Sequence, residues 1–226
     1  MSHILLVHQK LIDYSLNTKM WRAIYDDNDA TIRCLQKLFR RSAIPDIENQ
    51  DLERNGGGDT PLIFAAWHGY MELVELLVQY GADIEARNNN GSTALIYAAR
   101  NNWKEMLQFL IDNGANVDIQ DKWGRTALMY TGTKDYAKIT RILIAAGADP
   151  DIVNKLEGNT TAIDYAPYKS DFQEAVKQGR KQRAESIRQI RVQVEQLLDF
   201  YLDVAQVIAE YAYGKLRQPA TANNDN

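Results

Sequence analysis

Cysteine is almost missing from this chain of 226 residues. Cys34 stands alone, which excludes an internal disulfide and any metal site built on several thiolates. Histidine is nearly as scarce. His3, His8 and His68 are the only three, too few and too scattered for zinc-ligand spacing. No stretch approaches the roughly 18 consecutive apolar residues of a membrane span. The opening MSHILLVHQK has an apolar run of four residues, Ile4 to Val7, shorter than the core of a cleaved secretory leader. A surplus of positive charge is absent too. Lysine and arginine total 26 against 30 aspartate and glutamate, a net charge of −4, so the molecule as a whole is no non-specific nucleic-acid binder. Neither nucleic acid nor a membrane is expected as a partner. The expectation is a soluble cytoplasmic protein. Export into a host cell by a signal other than a cleaved leader stays compatible with the sequence.

What the chain does have is self-similarity at a fixed period, which outranks any local signal. Gly81-Ala82-Asp83 returns as Gly114-Ala115-Asn116 and as Gly147-Ala148-Asp149, a spacing of 33. Thr60-Pro61-Leu62 returns in the same register as Thr93-Ala94-Leu95 and Thr126-Ala127-Leu128, each two residues after a glycine. Tyr70, Trp103 and Tyr136 form a third series. Each unit reads as two short helices and a turn. Thr60 is a helix N-cap and Pro61 the first helical residue, where a missing N–H costs nothing. Leu62, Ala65 and Ala66 face inward, and Gly69 separates the two helices. Leu73, Val74, Leu76 and Leu77 line the second helix, which Gly81 ends as a left-handed cap. Asp83 to Asn90 is polar and hairpin-like.

These motifs resemble the ankyrin repeat, whose signature opens on Thr-Pro-Leu-His and closes on Gly-Ala-Asp. The resemblance implies an all-α solenoid of stacked helix pairs with hairpin-like loops, here with a C-terminal helical cap. Three clear units span 55–152. Residues 1–50 read as an N-terminal helical cap and degenerate repeat, 51–178 as the repeats, and 153–178 within them as a decayed last unit. The signature histidine is Ile63, Ile96 and Met129 here. Its second inner alanine is Gly132 in the third unit, which should be the loosest because glycine in a helix costs about 1 kcal/mol against alanine. The hairpin asparagine that is hydroxylated in some members is Glu85, Asp118 and Asp151, so that modification is not expected.

One unit cannot bury its own apolar face, so terminal units must be atypical. Trp21, Ala23 and Ile24 suit a short inner helix at the N-terminal end. Asp27-Asn28-Asp29 suits a turn, and Ile32, Leu35, Leu38 and Phe39 the next apolar stripe. Gly56-Gly57-Gly58 marks a flexible connection. The last unit starts 35 residues after its predecessor, and Pro167 stands where its inner helix should continue. Residues 179–216 then read as a long amphipathic helix or a helical hairpin, and 217–226 as a disordered tail. Ile187, Ile190, Val194, Leu197, Tyr201, Val204, Ile208 and Tyr211 alternate spacings of three and four, the seam of a heptad helix. An unbroken helix of some 33 residues would be about 50 Å long, against about 15 Å for a repeat helix. One repeat cannot cover it. A break at Asp199 or Asp203 with the chain folding back is the favoured expectation. Self-association through Ile187–Tyr211, or docking of a partner protein, would bury the stripe instead.

Catalysis has little support, and no enzyme, cofactor or metal is expected. Cys34 lies in the apolar phrase Ile32-Arg33-Cys34-Leu35 and reads as a small core residue. The triple glycine lacks the following Lys-Ser/Thr and the preceding strand of a phosphate loop. The basic stretch Lys177, Arg180, Lys181, Arg183, Arg188 and Arg191 reads as a solvated helix face; an anionic partner is the sharper alternative.

Binding has more support. Ankyrin proteins take partners on the hairpin tips and the exposed side of the inner helices. By register, that implies Asp59, Trp67 and His68 in the first unit. It implies Asn89, Asn90, Ser92, Arg100 and Asn101 in the second, and Lys122, Trp123, Arg125, Thr133 and Lys134 in the third. Tryptophan is enriched at binding hot spots, which singles out Trp67 and Trp123. The Tyr70, Trp103, Tyr136 column reads instead as a structural ladder. The resulting expectation is a non-catalytic scaffold or adaptor that binds a protein of unidentified kind. A host-directed effector or substrate adaptor is a second reading. Leu202 to Ala212 resembles the box-like helices that follow ankyrin repeats in some pathogen proteins, without their proline, and would make 197–213 a second recruitment helix. A regulatory or docking subunit of a separate enzyme is the third.

Overall fold

Threonine opens each inner helix. Thr60 Oγ1 accepts the Ile63 N–H, Thr93 Oγ1 that of Ile96, and Thr126 Oγ1 that of Met129. Each bond satisfies one of the orphan donors of a helix start. In this computed structural model the inner helices are α1 (Pro61–His68), α3 (Ala94–Arg100) and α5 (Ala127–Lys134). Their outer companions are α2 (Met71–Gln79), α4 (Lys104–Asp112) and α6 (Ala137–Ala146). A long helix, α7 (Lys169–Leu216), ends the order. The described residues are 17–22, 24, 35–37, 46–48, 50, 57–134, 136–166 and 169–216, without the side chains of 133, 134, 169 and 210–216. No strand ladder occurs among them; the polar hairpins are turns, and Asn154 and Thr160 form an isolated bridge.

The outer helices end alike. At α2 the Ala82 N–H bonds the Leu77 carbonyl and the Gly81 N–H that of Val78. The same two bonds recur at Gly114-Ala115 and Gly147-Ala148. This is the Schellman pattern, with glycine in the left-handed region it needs (Gly81 φ +88°) and a buried alanine behind it. Between the helices of a unit, Gly69 and Asn102 take positive φ. Tyr70 and Trp103 follow in near-identical conformations (φ −78°, ψ 78° and φ −79°, ψ 79°), each at the centre of an inverse γ-turn. The Trp103 ring lies against Gly69 of the preceding unit, where a Cβ would come within 2.6 Å of it. Trp103 therefore ties its unit to the preceding one.

Burial follows the stack. α1 packs on α3, α3 on α5, and α5 on a 3-10 turn, Ala162–Tyr165. Leu62, Ile63, Leu77, Leu95, Ile96, Leu107, Leu110, Leu128 and Met129 are fully buried, each worth roughly 1.5–3 kcal/mol. Met20, Trp21, Ile24 and Leu35 belong to the same core. The expected positions Ala23, 27–29, Ile32, Cys34, Leu38 and Phe39, like His3, His8 and Gly56, lie outside the described residues.

At the C-terminal end Gly132 has a packing role, and the expectation for the long helix is corrected. Gly132 is more than a weak point in α5. A Cβ there would meet the Ala162 carbonyl oxygen at 2.9 Å, so the missing side chain admits the last unit. The long helix also neither breaks at Asp199 or Asp203 nor starts near 179. It runs continuously from Lys169 and supplies the outer helix of the decayed unit as well. Phe172, Ala175 and Val176 are buried, and a Cβ on Gly179 would meet Ile144 Cβ at 2.7 Å and the Arg141 carbonyl at 2.9 Å. Aspartate costs under about 0.7 kcal/mol in a helix interior, too little to stop a helix that contains no proline. Proline acts earlier: Ala166, just before Pro167, is extended (φ −81°, ψ 118°), as a residue preceding proline should be. That limits the last inner helix to one 3-10 turn.

The chain divides into two units, 1–181 and 182–226. In the second, the described side chains of 182–209 are all exposed, the seam residues Ile187 to Ile208 included. No helix among the described residues is long and apolar enough to cross a membrane.

Candidate functional site

A buried polar residue sits beneath each hairpin and shapes the surface above it. Asn88 Oδ1 accepts the N–H groups of Asn90 and Ser92 at 3.0 Å each, and its Nδ2 donates to Tyr97 Oη (3.1 Å) and Asp59 Oδ1 (2.6 Å). One period on, Asp121 Oδ1 accepts from the Trp123 and Arg125 N–H groups, and Tyr130 Oη donates to Asp121 Oδ2 at 2.6 Å. In the last unit Asn154 Oδ1 accepts the Leu156 N–H and Nδ2 donates to Tyr165 Oη at 2.8 Å. Sequence reasoning passed over these Asx–Tyr pairs. Their signal was there, since 88, 121 and 154 keep the period of 33. Burial raises the Tyr97 pKa, although the hydrogen bond from Asn88 works the other way. At Tyr130 burial, joined by the hydrogen bond to the Asp121 carboxyl, raises it too.

Above these pairs an aromatic and cationic row crosses the inner helices. The Trp67 ring lies 6.2 Å from that of Tyr97 and 4.9 Å from His68. His68 also stacks on Tyr70, and its Nδ1 bonds the Phe64 carbonyl. The Arg100 guanidinium stands 5.8 Å from the Tyr130 ring centre, and Arg125 stands 5.7 Å from the same ring and 5.2 Å from Tyr165. Arg125 donates twice to Glu157 Oε1, at 3.1 and 2.7 Å, and Tyr165 donates to Glu157 Oε2. The hydrogen bond from Tyr165, then Arg125, outweighs desolvation and lowers the Glu157 pKa. At Arg125, burial works against the charge but Glu157 overrides it and the pKa rises. Lys122 reaches Asn90 Oδ1 and lies 4.5 Å above the Trp123 ring.

The expected contact residues separate on this geometry. Trp67 and Trp123 remain 44% and 40% exposed. His68, Asn89, Arg100 and Lys122 are exposed, while Asn90, Asn101 and Arg125 are half-buried. Asn101 Nδ2 donates to the Trp67 carbonyl and links two inner helices. Ser92 is corrected: it is 3% exposed, with its N–H turned inward onto Asn88, so no partner can reach it. Asp59 is likewise 3% exposed and occupied by Asn88. The side chains of Thr133 and Lys134 lie outside the described residues. Among those described, no group of three or more His, Cys, Asp or Glu is placed to hold a metal ion.

The turns at the other end of each unit carry a second ladder. Glu48 Oε1 accepts the Asp83 N–H, Glu85 Oε1 the Asn116 N–H, and Asp118 Oδ1 the Asp149 N–H. Residues 46–48 therefore occupy the place of 83–85, four residues out of the period of 33. Comparison with known families agrees with this register. A family model described as ankyrin repeats (3 copies) matches residues 81–154 and 102–178. A second, described as ankyrin repeats (many copies), matches 47–98. The chain belongs to the ankyrin-repeat family. No curated protein matches it. The ankyrin match begins at 47, one residue past Asp46, so it takes in the degenerate first turn.

Proposed function

We propose that this ankyrin-repeat chain is a non-catalytic adaptor whose protein partner docks on the inner helices and hairpin tips. Ankyrin repeats generally mediate protein–protein interactions. The observation that carries the reading is the pair Trp67 and Trp123. Both keep two-fifths of their surface in solvent beside residues held by the buried Asx–Tyr pairs. A rigid aromatic surface lowers the ordering cost of association. Affinity capture with wild type and the Trp67→Ala/Trp123→Ala variant, followed by mass spectrometry, tests it. The double variant should lose a partner that the wild type retains, with folding stability within about 1 kcal/mol. An unchanged set of partners would refute the assignment.

A second reading concerns residues 187–211, and the exposure of Ile187, Ile190, Val194, Leu197, Tyr201, Val204 and Ile208 favours it. Spacings of three and four repeated along one helix are the geometry by which like helices pair, so a second copy of this chain is the proposed occupant. Light scattering should give twice the monomer mass, reverting to one for Leu197→Glu/Tyr201→Glu. A wild-type monomer would return the segment to the reading of a second recruitment helix.

A further inference from the structure

The charges of the repeats are sorted by face. Carboxylates gather at the turns of the second ladder, where Asp83, Asp149 and Asp151 are exposed. The inner-helix and hairpin-tip face carries Arg87, Arg100, Lys122 and Arg125 in a chain of net charge −4. Its own acids are bonded to neighbouring groups, Asp59 and Asp121 buried, Glu157 half-buried and Asp164 exposed. Asp59 and Asp121 are buried on Asn88 and Tyr130. Glu157 is bound by Arg125 and Tyr165, and Asp164 by the Thr161 N–H and hydroxyl. Arg87 is held by the carbonyls of Gly91 and Gln120; Arg100 and Lys122 have exposed side chains on this face, and Arg125, half-buried, shares its guanidinium with Glu157. The groups along the face run Trp67, Tyr97, Arg100, Tyr130, Arg125: two aromatic rings, then a cation, a ring and a cation, with the two tyrosine rings buried.

We propose that this face takes an extended acidic segment of a partner protein, seating apolar side chains on Trp67 and Trp123 and carboxylates on Arg100, Lys122 and Arg125. The proposal rests on the docking reading above and names the partner's chemistry. Neighbouring inner helices lie about 8–10 Å apart, so three span roughly 20–30 Å, the length of about six to nine extended residues. Guanidinium groups take carboxylates in paired hydrogen bonds, and the tryptophans supply apolar contact area on either side.

Fluorescence anisotropy on the full chain tests it. The probes are labelled peptides of about nine residues built from the unit Glu-Glu-Leu, its Gln-Gln-Leu and Lys-Lys-Leu counterparts, and an oligothymidylate. The acidic peptide should bind tightest and weaken with salt. Arg100→Gln and Lys122→Gln should each weaken it about two- to fivefold, and Trp67→Ala/Trp123→Ala should remove binding. Glu157→Gln loosens the hold on Arg125 and should tighten binding. Equal binding of acidic and neutral peptides would overturn the charge assignment and leave the tryptophan-dependent docking surface standing. Equal or tighter binding of the oligonucleotide would overturn the protein partner in favour of nucleic acid. Acidic-peptide binding that survives loss of both tryptophans would move the site off this face.

Discussion

Replacing Asp121 by alanine removes three hydrogen bonds at once. Its carboxylate accepts the N–H groups of Trp123 and Arg125 and the hydroxyl of Tyr130. The two amides are part-buried and can reach water after the change. The Tyr130 hydroxyl belongs to a buried side chain and would be left without its acceptor. A hydrogen bond to a charged group contributes about 1.5–3 kcal/mol, and the two solvent-accessible amides contribute less. Asp121→Ala should therefore cost about 2–4 kcal/mol. Tyr130→Phe loses one of the three bonds and should cost about 1–2 kcal/mol. Asparagine fills the same place at 88 and 154, with its Nδ2 donating to the partner tyrosine. Asp121→Asn should thus stay within about 1 kcal/mol of wild type, since it keeps an acceptor for the amides. Urea unfolding followed by tryptophan fluorescence reads all three, Trp123 being two residues away. Asp121→Ala within about 0.5 kcal/mol of wild type, the scatter of ordinary surface changes, would refute the account of the hairpin. So would an Asp121→Asn variant as damaged as Asp121→Ala.

Gly179→Ala sets helix propensity, a gain of about 1 kcal/mol, against overpacking on Ile144 and the Arg141 carbonyl, about 1–3 kcal/mol. A net loss of up to about 2 kcal/mol is expected in thermal or urea unfolding, whereas a gain would mean that α7 does not dock closely on α6. Burial, the largest influence on Glu48, raises its pKa above the ordinary value although it accepts the Asp83 N–H. A carboxyl raised on folding contributes stability in full below its unfolded pKa, lost as pH rises through the folded value. Glu48→Gln keeps the acceptor without the charge. Its melting temperature relative to wild type should rise between about pH 4 and pH 7, and a flat difference would sink this reading.

The legible part of the fold came from position rather than residue type. A period of 33 placed Thr60, Thr93 and Thr126 at helix starts and Gly81, Gly114 and Gly147 at helix ends. Both are backbone requirements that few residues meet, so they survive in the sequence. The Asx–Tyr pairs were harder to see because asparagine and aspartate in a polar loop look like solvent-facing turn residues. Only the tyrosine nine residues on in the first two pairs, or eleven in the last, marks them as buried. Ser92 misled for the same reason: a small polar residue in a hairpin can face either way. The continuous α7 was missed because its first turns lie within a decayed repeat. Gly179, which looked like a boundary, is a point of close helix contact.

Site-directed photo-crosslinking tests the central claim most directly. A photoreactive amino acid would be placed at 67, 100 or 123 on the inner-helix face, and at Glu75 or Gln108, exposed positions on the outer helices. Adducts with a partner protein should form from the first three positions and not from the other two. Adducts confined to 75 and 108 would contradict the account, because the partner would then sit on the opposite side of the repeats from Trp67 and Trp123.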